Sequence, residues 1–212
     1  MSSITFTLDP YISQPDRAQL KDSSPRHVPA TVVGRRGVIG ELGEVAVEHT
    51  DDRAYDGGAQ RTRAQVRGAA VPAVVLTGRA VWGSAPSLDQ AELTVDGAPV
   101  ALEHNVMGAK NTARALRFSH AGHAYTYTVL PRSKGAELRR DGVRVLLEPV
   151  KGTGGRRITR GTVEGPAEAV DVALAVLFEE VDTGLLSLKG AAAHAPFHLL
   201  DRLARPNRAP GQ

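Results

Sequence analysis

The chain is 212 residues long, with 42% hydrophobic, 23% charged and 4% aromatic residues and a formal net charge of +3. These proportions are ordinary for a globular protein, and the small positive charge does not by itself point to a nucleic-acid partner. Cysteine is absent, which excludes disulfides, thiolate nucleophiles and cysteine-ligated metals. The length allows one substantial domain, so we expect a single β-rich domain over residues 1–204 and a flexible tail over 205–212.

Targeting signals are not visible in the sequence. The N-terminal residues MSSITFTLDPYI lack the charged and long apolar regions of a secretory signal. The longest apolar run falls well short of the roughly 20 residues that span a bilayer. We therefore expect a cytoplasmic protein. The scarcity of lysine relative to arginine and the abundance of alanine indicate a bacterial origin.

The first half of the chain contains short strand-like segments. Ile4, Phe6 and Leu8 alternate with polar residues, which predicts a half-buried strand. Residues 9–30 are rich in Pro, Ser, Asp and Arg and are predicted to be a loop or tether. Further strands are expected over Thr31–Gly40, Glu44–His49, Thr62–Arg67, Ala73–Trp82 and, later, Arg156–Val163.

Three turn dipeptides predict three β-hairpins, at Asp96-Gly97, Ala121-Gly122 and Asp141-Gly142. A two-residue turn fixes which positions lie opposite each other, and apolar residues then share one face of each pair. The expected pairs are Leu93 with Val100 and Ala91 with Leu102, Phe118 with Tyr125 and His120 with His123, and Leu138 with Val145 and Arg139 with Arg144. Their agreement indicates an antiparallel meander.

One helix is predicted near the C-terminal end, over about residues 167–181, with Pro166 at its start and Thr183-Gly184 at its end. Nearly every position from Ala169 to Phe178 is apolar, and a helix that is apolar all round lies inside a protein. After it, Leu185–Leu188 is expected to form a buried extended segment. The predicted fold class is mainly β, a β-rich α+β protein, with the meander forming a barrel or curved sheets around this helix.

Charge is distributed unevenly along the second half of the chain. Residues 132–160 contain nine basic and three acidic residues, whereas residues 161–188 contain six acidic residues and no basic ones. Arg139 opposite Arg144 calls for a compensating anion. The candidate anion-binding residues are therefore Arg139, Arg144, Arg156 and Arg157. The alternative is that these arginines are solvated and neutralised by Glu137, Glu148 or the acids that flank the helix.

Other chemistry is weakly indicated. The loop Lys151–Arg157 lacks the spacing and following helix of a P-loop. His120 and His123 could bring two imidazoles to a metal, but a zinc site needs three or four ligands, so no cofactor is predicted. No GxSxG motif is present, and no catalytic residue is predicted. Glu179-Glu180 ends the helix against its dipole and calls for arginine partners from the surrounding strands.

The meander Ala91–Glu148, the helix Ala167–Val181 and the apolar Leu185–Leu188 after it resemble the tubby C-terminal-like class, which includes tubby domains, phospholipid scramblases and LURP-one-related proteins. The resemblance implies a closed barrel of about twelve strands around a hydrophobic helix. It also implies phosphoinositide binding through basic residues, for which the face with Arg139 and Arg144 is the counterpart. Scramblases carry a cysteine-rich segment that this sequence lacks, so lipid scrambling is not implied.

The leading functional hypothesis is a non-catalytic module that binds an anionic ligand, such as a lipid head group or phosphate, or an acidic protein surface. It includes peripheral membrane contact, and nucleic acid is the weaker partner. The first alternative is a structural protein that assembles with itself or other subunits through its hairpins and N-terminal segment. The second alternative is a metal-dependent or hydrolytic enzyme.

Overall fold

A computed structural model describes residues 3–13, 31–51, 61–80, 84–105, 112–131, 134–152 and 157–187. These residues form thirteen antiparallel strands and one α-helix, with 3₁₀ turns at Gly40–Leu42, Phe178–Glu180 and Gly184–Leu186. The strands are β1 Ser3–Ser13, β2 Thr31–Val38, β3 Glu44–Asp51, β4 Arg61–Gly68, β5 Val74–Arg79, β6 Glu92–Val95, β7 Ala98–Val100, β8 Leu102–Glu103, β9 Leu116–His120, β10 His123–Val129, β11 Ala136–Arg140, β12 Val143–Lys151 and β13 Arg157–Glu164, and the helix is α1 Ala169–Leu177.

The sheet curls into a nearly closed barrel because strand β1 pairs with different neighbours along its length. The first half of β1 pairs with β13 and its second half with β2. The two ends of the strand order are β7 and β8, and only Ala101 separates them in the chain. Since β7 pairs with β6 and β8 with β9, this segment joins the two ends of the sheet. The predicted fold class is confirmed.

The helix α1 lies inside the barrel, and every residue from Asp171 to Leu177 is buried. Alternate residues of the strands point inward to cover it, and burying each large apolar side chain contributes about 1.5–3 kcal/mol. The lumen is tightly filled on the β13 side, where a Cβ at Gly161 would overlap the ring of Phe6. Glycine at this position lets an aromatic ring occupy the space that a side chain would take.

The second and third hairpins have the predicted registers, and the first differs at its end. Leu93 pairs with Val100 as expected. The predicted pairing of Ala91 with Leu102 is wrong, because Leu102 lies opposite Phe118 of β9. The chain has already passed from one half of the barrel to the other at Ala101.

The helix is shorter than predicted, and the segment after it is not extended. Pro166 is not the first helical residue, because α1 begins at Ala169 with Glu168 as its N-cap. The Asp171 carboxylate accepts the backbone N–H of Glu168 at 2.7 Å, which fixes the start of the helix at this point. The chain then tightens into 3₁₀ turns over Phe178–Glu180 and Gly184–Leu186; Leu188 lies outside the described residues.

The N-terminal strand extends further than predicted. β1 continues to Ser13 through Pro10, so residues 9–13 are strand rather than loop. Pro10 follows the point where β1 leaves β13 and pairs with β2 alone, and such an edge tolerates a missing N–H. Residues 14–30 of the predicted tether and the predicted tail 205–212 lie outside the described residues.

Candidate functional site

The basic hairpin formed by β11 and β12 places Arg139 opposite Arg144, as predicted. Between them lies Glu137, which accepts hydrogen bonds from Arg139 at 2.5 and 3.0 Å and from Arg144 Nε at 2.6 Å. Arg144 Nη1 also reaches both oxygens of Glu164 at 3.3 and 3.4 Å. The negative charge next to these two arginines therefore comes from carboxylates of the chain itself.

The titration of Glu137 reflects this arrangement. Desolvation alone would raise the pKa of the Glu137 carboxyl. The hydrogen bonds and charges of Arg139 and Arg144 outweigh desolvation and lower the pKa below its ordinary value. Glu137 is therefore held in its charged form.

A second pair of opposed cations lies at the other end of β12. Lys151 is directly opposite Arg157 of β13, and both side chains are exposed. Their register places them on the lumen-facing side of the strands, at the rim of the barrel beyond Thr159. Within the described part of the chain, neither forms an ion pair with a carboxylate. Arg157 is one of the predicted anion-binding residues, whereas Lys151 was not predicted. The predicted Arg156 lies outside the described residues.

The two histidines considered as candidate metal ligands do face each other, since His120 pairs with His123 across the β9–β10 turn. The ring of His123 lies edge-on to Tyr125, with 6.5 Å between ring centres. In the part of the chain that the structure describes, no group of three or more His, Asp or Glu side chains could hold a metal ion.

No described helix has the length and apolar character to cross a bilayer.

A polar cluster surrounds the buried Asp171 at the start of α1, and we call Tyr125, Arg140, Glu168 and Asp171 the helix N-terminal cluster. Asp171 is 0% exposed. Its carboxylate accepts the Tyr125 hydroxyl at 2.9 Å and two guanidinium nitrogens of Arg140 at 2.8 Å each. Burial is the largest cause that raises the pKa of Tyr125 well above its ordinary value, and the hydrogen bond to Asp171 is the second largest. With the backbone bond from Glu168, the charge is fully satisfied.

A second polar cluster lies where α1 ends, and we call Arg35, His49, Ser84, Glu179 and Glu180 the helix C-terminal cluster. The arginine partner expected for Glu179-Glu180 is Arg35 of β2, whose Nε lies 3.1 Å from Glu180 and 3.8 Å from Glu179. Glu179 also accepts the Thr159 hydroxyl at 2.5 Å.

His49 links this cluster to the barrel rim. Its Nδ1 lies 2.9 Å from Glu180 Oε2, and its Nε2 lies 2.9 Å from Ser84 Oγ. A carboxylate only accepts hydrogen bonds, so Nδ1 carries a proton, and in the neutral imidazole Nε2 accepts the serine hydroxyl. His49 and Glu180 are buried, whereas Ser84 is partly exposed.

Ser84 reaches His49 because the loop after β5 folds back over that strand. A Cβ at Gly78 would collide with the carbonyl oxygen of Ser87, so glycine permits this close approach. The loop is held by hydrogen bonds from Ser87 N to Arg79 O and from Asp182 N to Pro86 O, each 2.8 Å long. It is therefore attached both to the barrel wall and to the segment that follows α1.

Some buried polar atoms have no hydrogen-bond partner in the part of the chain that the structure describes. Among the described residues, none bonds to Nη1 of Arg35 or to the hydroxyl of Thr62, which lies on the inner face of β4. Nε and Nη1 of Arg114, just before β9, are equally unpartnered there. Unsatisfied buried donors are rare and mark places where a ligand or water can bind.

Comparisons with known proteins leave the function open. No family model, curated protein or solved structure matches this chain. The resemblance to the tubby C-terminal-like class therefore stays a prediction, and function is inferred from the geometry alone.

The sequence did not point to His49 or Ser84 as site residues. The available signal was that His49 occupies an inward position of β3, in alternation with the buried Val45 and Val47, where an apolar residue is expected. Its partner Glu180 is 131 residues away in the chain, so the pairing depends on the closed barrel.

Proposed function

We propose that this protein binds a phosphate-bearing anionic ligand, either a free phosphate compound or a lipid head group, at the end of the β12–β13 hairpin. The observation that carries the proposal is Lys151 directly opposite Arg157. Like charges that face each other across two strands destabilise the sheet, and an anion bound between them would relieve this.

The contrast with Arg139 and Arg144 supports this location. Both pairs oppose two cations on neighbouring strands, but Glu137 and Glu164 neutralise the first pair. Among the described residues, Lys151 and Arg157 have no such carboxylate. We therefore propose the anion site at the rim of the barrel rather than on the face of the basic hairpin.

The test compares the wild-type protein with Lys151→Glu/Arg157→Glu. A matched control is Arg63→Glu/Arg117→Glu, which reverses two exposed arginines elsewhere on the barrel and changes the net charge equally. The probes are inositol hexakisphosphate in a thermal melt, and phosphatidylcholine vesicles with and without a phosphoinositide in a sedimentation assay.

Ligand at a hundredfold excess over its Kd stabilises the folded state by about 2.7 kcal/mol, or roughly 5–10 °C for a domain of this size. We expect this shift for the wild type and the control, and its loss in the Lys151/Arg157 variant. A shift with the soluble phosphate alone identifies a free ligand, and retention on phosphoinositide vesicles identifies a membrane lipid. Equal binding by all three proteins would overturn the proposal.

A further inference from the structure

The helix C-terminal cluster contains a serine, a histidine and a carboxylate joined in series. Ser84 Oγ, His49 Nε2, His49 Nδ1 and Glu180 Oε2 are connected by two contacts of 2.9 Å. We propose that this series hydrolyses carboxylic esters, with Ser84 as nucleophile, His49 as general base and Glu180 as the positioning residue that orients the imidazole. This activity goes beyond anion binding and involves neither Lys151 nor Arg157.

The two nitrogens of His49 are used in the order that this chemistry requires. In a Ser–His–acid triad, Nε2 accepts the serine proton while Nδ1–H is held by the carboxylate, and the arrangement is recognised by its geometry rather than its fold. Here the carboxylate of Glu180 is itself held by Arg35 at 3.1 Å through its other oxygen. The imidazole is thus fixed in one tautomer and one orientation.

Exposure also suits the assignment. Glu180 and His49 are only 7% and 6% exposed, whereas Ser84 is partly open to solvent. A substrate can approach the hydroxyl from outside while the base and its carboxylate partner stay away from water. The loop that carries Ser84 is fixed at Ser87 and Pro86, so the nucleophile is attached to a constrained segment.

Two donors that have no partner among the described residues lie on the strands on either side of His49. His49 is paired with Ala64 of β4, and Thr62, two residues along on the same inner face, is its diagonal neighbour at roughly 7–8 Å. Among the described residues, the buried Thr62 hydroxyl and Arg35 Nη1 have no hydrogen-bond partner. We assign these donors to the carbonyl oxygen of the substrate, whose negative charge grows as the tetrahedral intermediate forms.

The reaction balances with water as the only co-reactant. Ser84 Oγ forms a bond to the ester carbonyl carbon while its proton passes to His49 Nε2. The tetrahedral intermediate then breaks the C–O bond to the alcohol, which leaves with that proton. Water next gives a proton to Nε2 and attacks the acyl-serine, and collapse of this second intermediate returns the proton to Ser84 and releases the carboxylic acid.

The first test uses p-nitrophenyl acetate and a fluorophosphonate probe on the purified full chain. We expect the probe to attach to Ser84, as located by peptide mass spectrometry, and Ser84→Ala to lower kcat/KM by about 100-fold or more. Ser119→Ala, at an exposed serine of β9, should leave both readouts unchanged. Glu180→Gln should lower kcat with little change in KM, because it alters the orientation of the base rather than substrate binding.

A second test does not depend on the choice of ester. Since the chain has no cysteine, Ser84→Cys introduces one thiol next to His49, and Ser119→Cys introduces one on the outer surface. We expect iodoacetamide to modify Ser84→Cys at pH 7 roughly tenfold faster than Ser119→Cys, and the added change His49→Gln to remove this difference.

Equal alkylation of the two thiols, in folded proteins with equal Tm, would overturn the proposal. Hydrolysis by Ser84→Ala at the wild-type rate would overturn it as well. Because these readouts do not use phosphate ligands or vesicles, their failure is distinct from failure of the anion-binding proposal.

Discussion

The two ends of α1 carry buried charges that are paired in different ways. At the helix N-terminal cluster, four donors converge on Asp171 and every oxygen is satisfied. At the helix C-terminal cluster, the charges are shared among Arg35, His49 and two glutamates. Ser84 is partly exposed, and donors remain without partners among the described residues. A fully satisfied network stabilises one structure, whereas spare donors beside a reactive group are suited to binding and chemistry.

The largest effect is expected from Asp171→Asn. The amide cannot accept all of the donors directed at it. Arg140, whose side chain is 7% exposed, loses its buried charged partner and keeps the exposed Glu168 at 3.3 Å. Breaking a buried ion pair costs about 3–5 kcal/mol, and we expect a loss of this size in the free energy of unfolding by urea denaturation. The control is Glu168→Gln. The Glu168 side chain is 64% exposed, so this change should lower the free energy of unfolding by about 1 kcal/mol or less.

The corresponding change at the other end, Glu180→Gln, should cost less, about 1–3 kcal/mol. The glutamine oxygen can still accept the His49 hydrogen bond, and Arg35 keeps Glu179 nearby and is partly open to water. The same urea titration measures this difference. A loss as large as that of Asp171→Asn would mean that both clusters are equally structural.

The exposed hairpin offers an intermediate case through Glu137→Gln. The pKa of Glu137 is lowered in the folded state by Arg139 and Arg144. Its stabilising contribution is therefore present above the unfolded pKa, about 4.3, and is lost as the pH falls through the lower folded value. We expect the variant to be less stable near pH 7 by about 1–2 kcal/mol.

The same variant should also lose less stability than the wild type on acidification below about pH 5. Urea midpoints measured from pH 7 to pH 2.5 would show this as two converging curves. Parallel curves would show that Glu137 does not titrate differently in the folded and unfolded states.

The smallest effect is expected from Tyr125→Phe, which removes one of the donors to Asp171 and keeps the ring stack on Phe118. A net hydrogen bond is worth about 0.5–1.5 kcal/mol. Because burial raises the pKa of Tyr125, the phenol adds stability below its unfolded pKa near 10, and this is lost at higher pH. Alkaline unfolding should therefore be less steep in Tyr125→Phe, and an unchanged slope would contradict this.

Much of the barrel could be predicted from local sequence because turn dipeptides fix the register of a hairpin. His120 opposite His123 and Arg139 opposite Arg144 follow from the turns alone. The end of the first hairpin could not be predicted, since the passage of Leu102 to β9 depends on closure of the whole sheet. The helix start was placed too early because proline favours a first helical position, whereas Asp171 fixes the N-cap at Glu168.

The candidate sites also differ in how far the sequence predicts them, because some of their contacts are local in the chain and others depend on closure of the barrel. The neutralisation of Arg139 by Glu137 could be predicted, since the two residues lie two positions apart on the same face of β11. The series from Ser84 through His49 to Glu180 could not be predicted from the sequence, because its members come from a loop, a strand and the end of α1. Only a folded barrel with an internal helix brings them together.

The split pairing of β1 has a consequence for how the protein is made. The C-terminal half of β1 can pair with β2 early in synthesis, but its N-terminal half must wait for β13, where Ser3 lies opposite Glu164. At 5–20 residues per second, this wait is on the order of 10 seconds on the ribosome. During that time the edge that carries Phe6 and Leu8 is unpaired and can join another nascent chain, so the strand that completes the barrel is also the one most in need of protection while the chain is being synthesised.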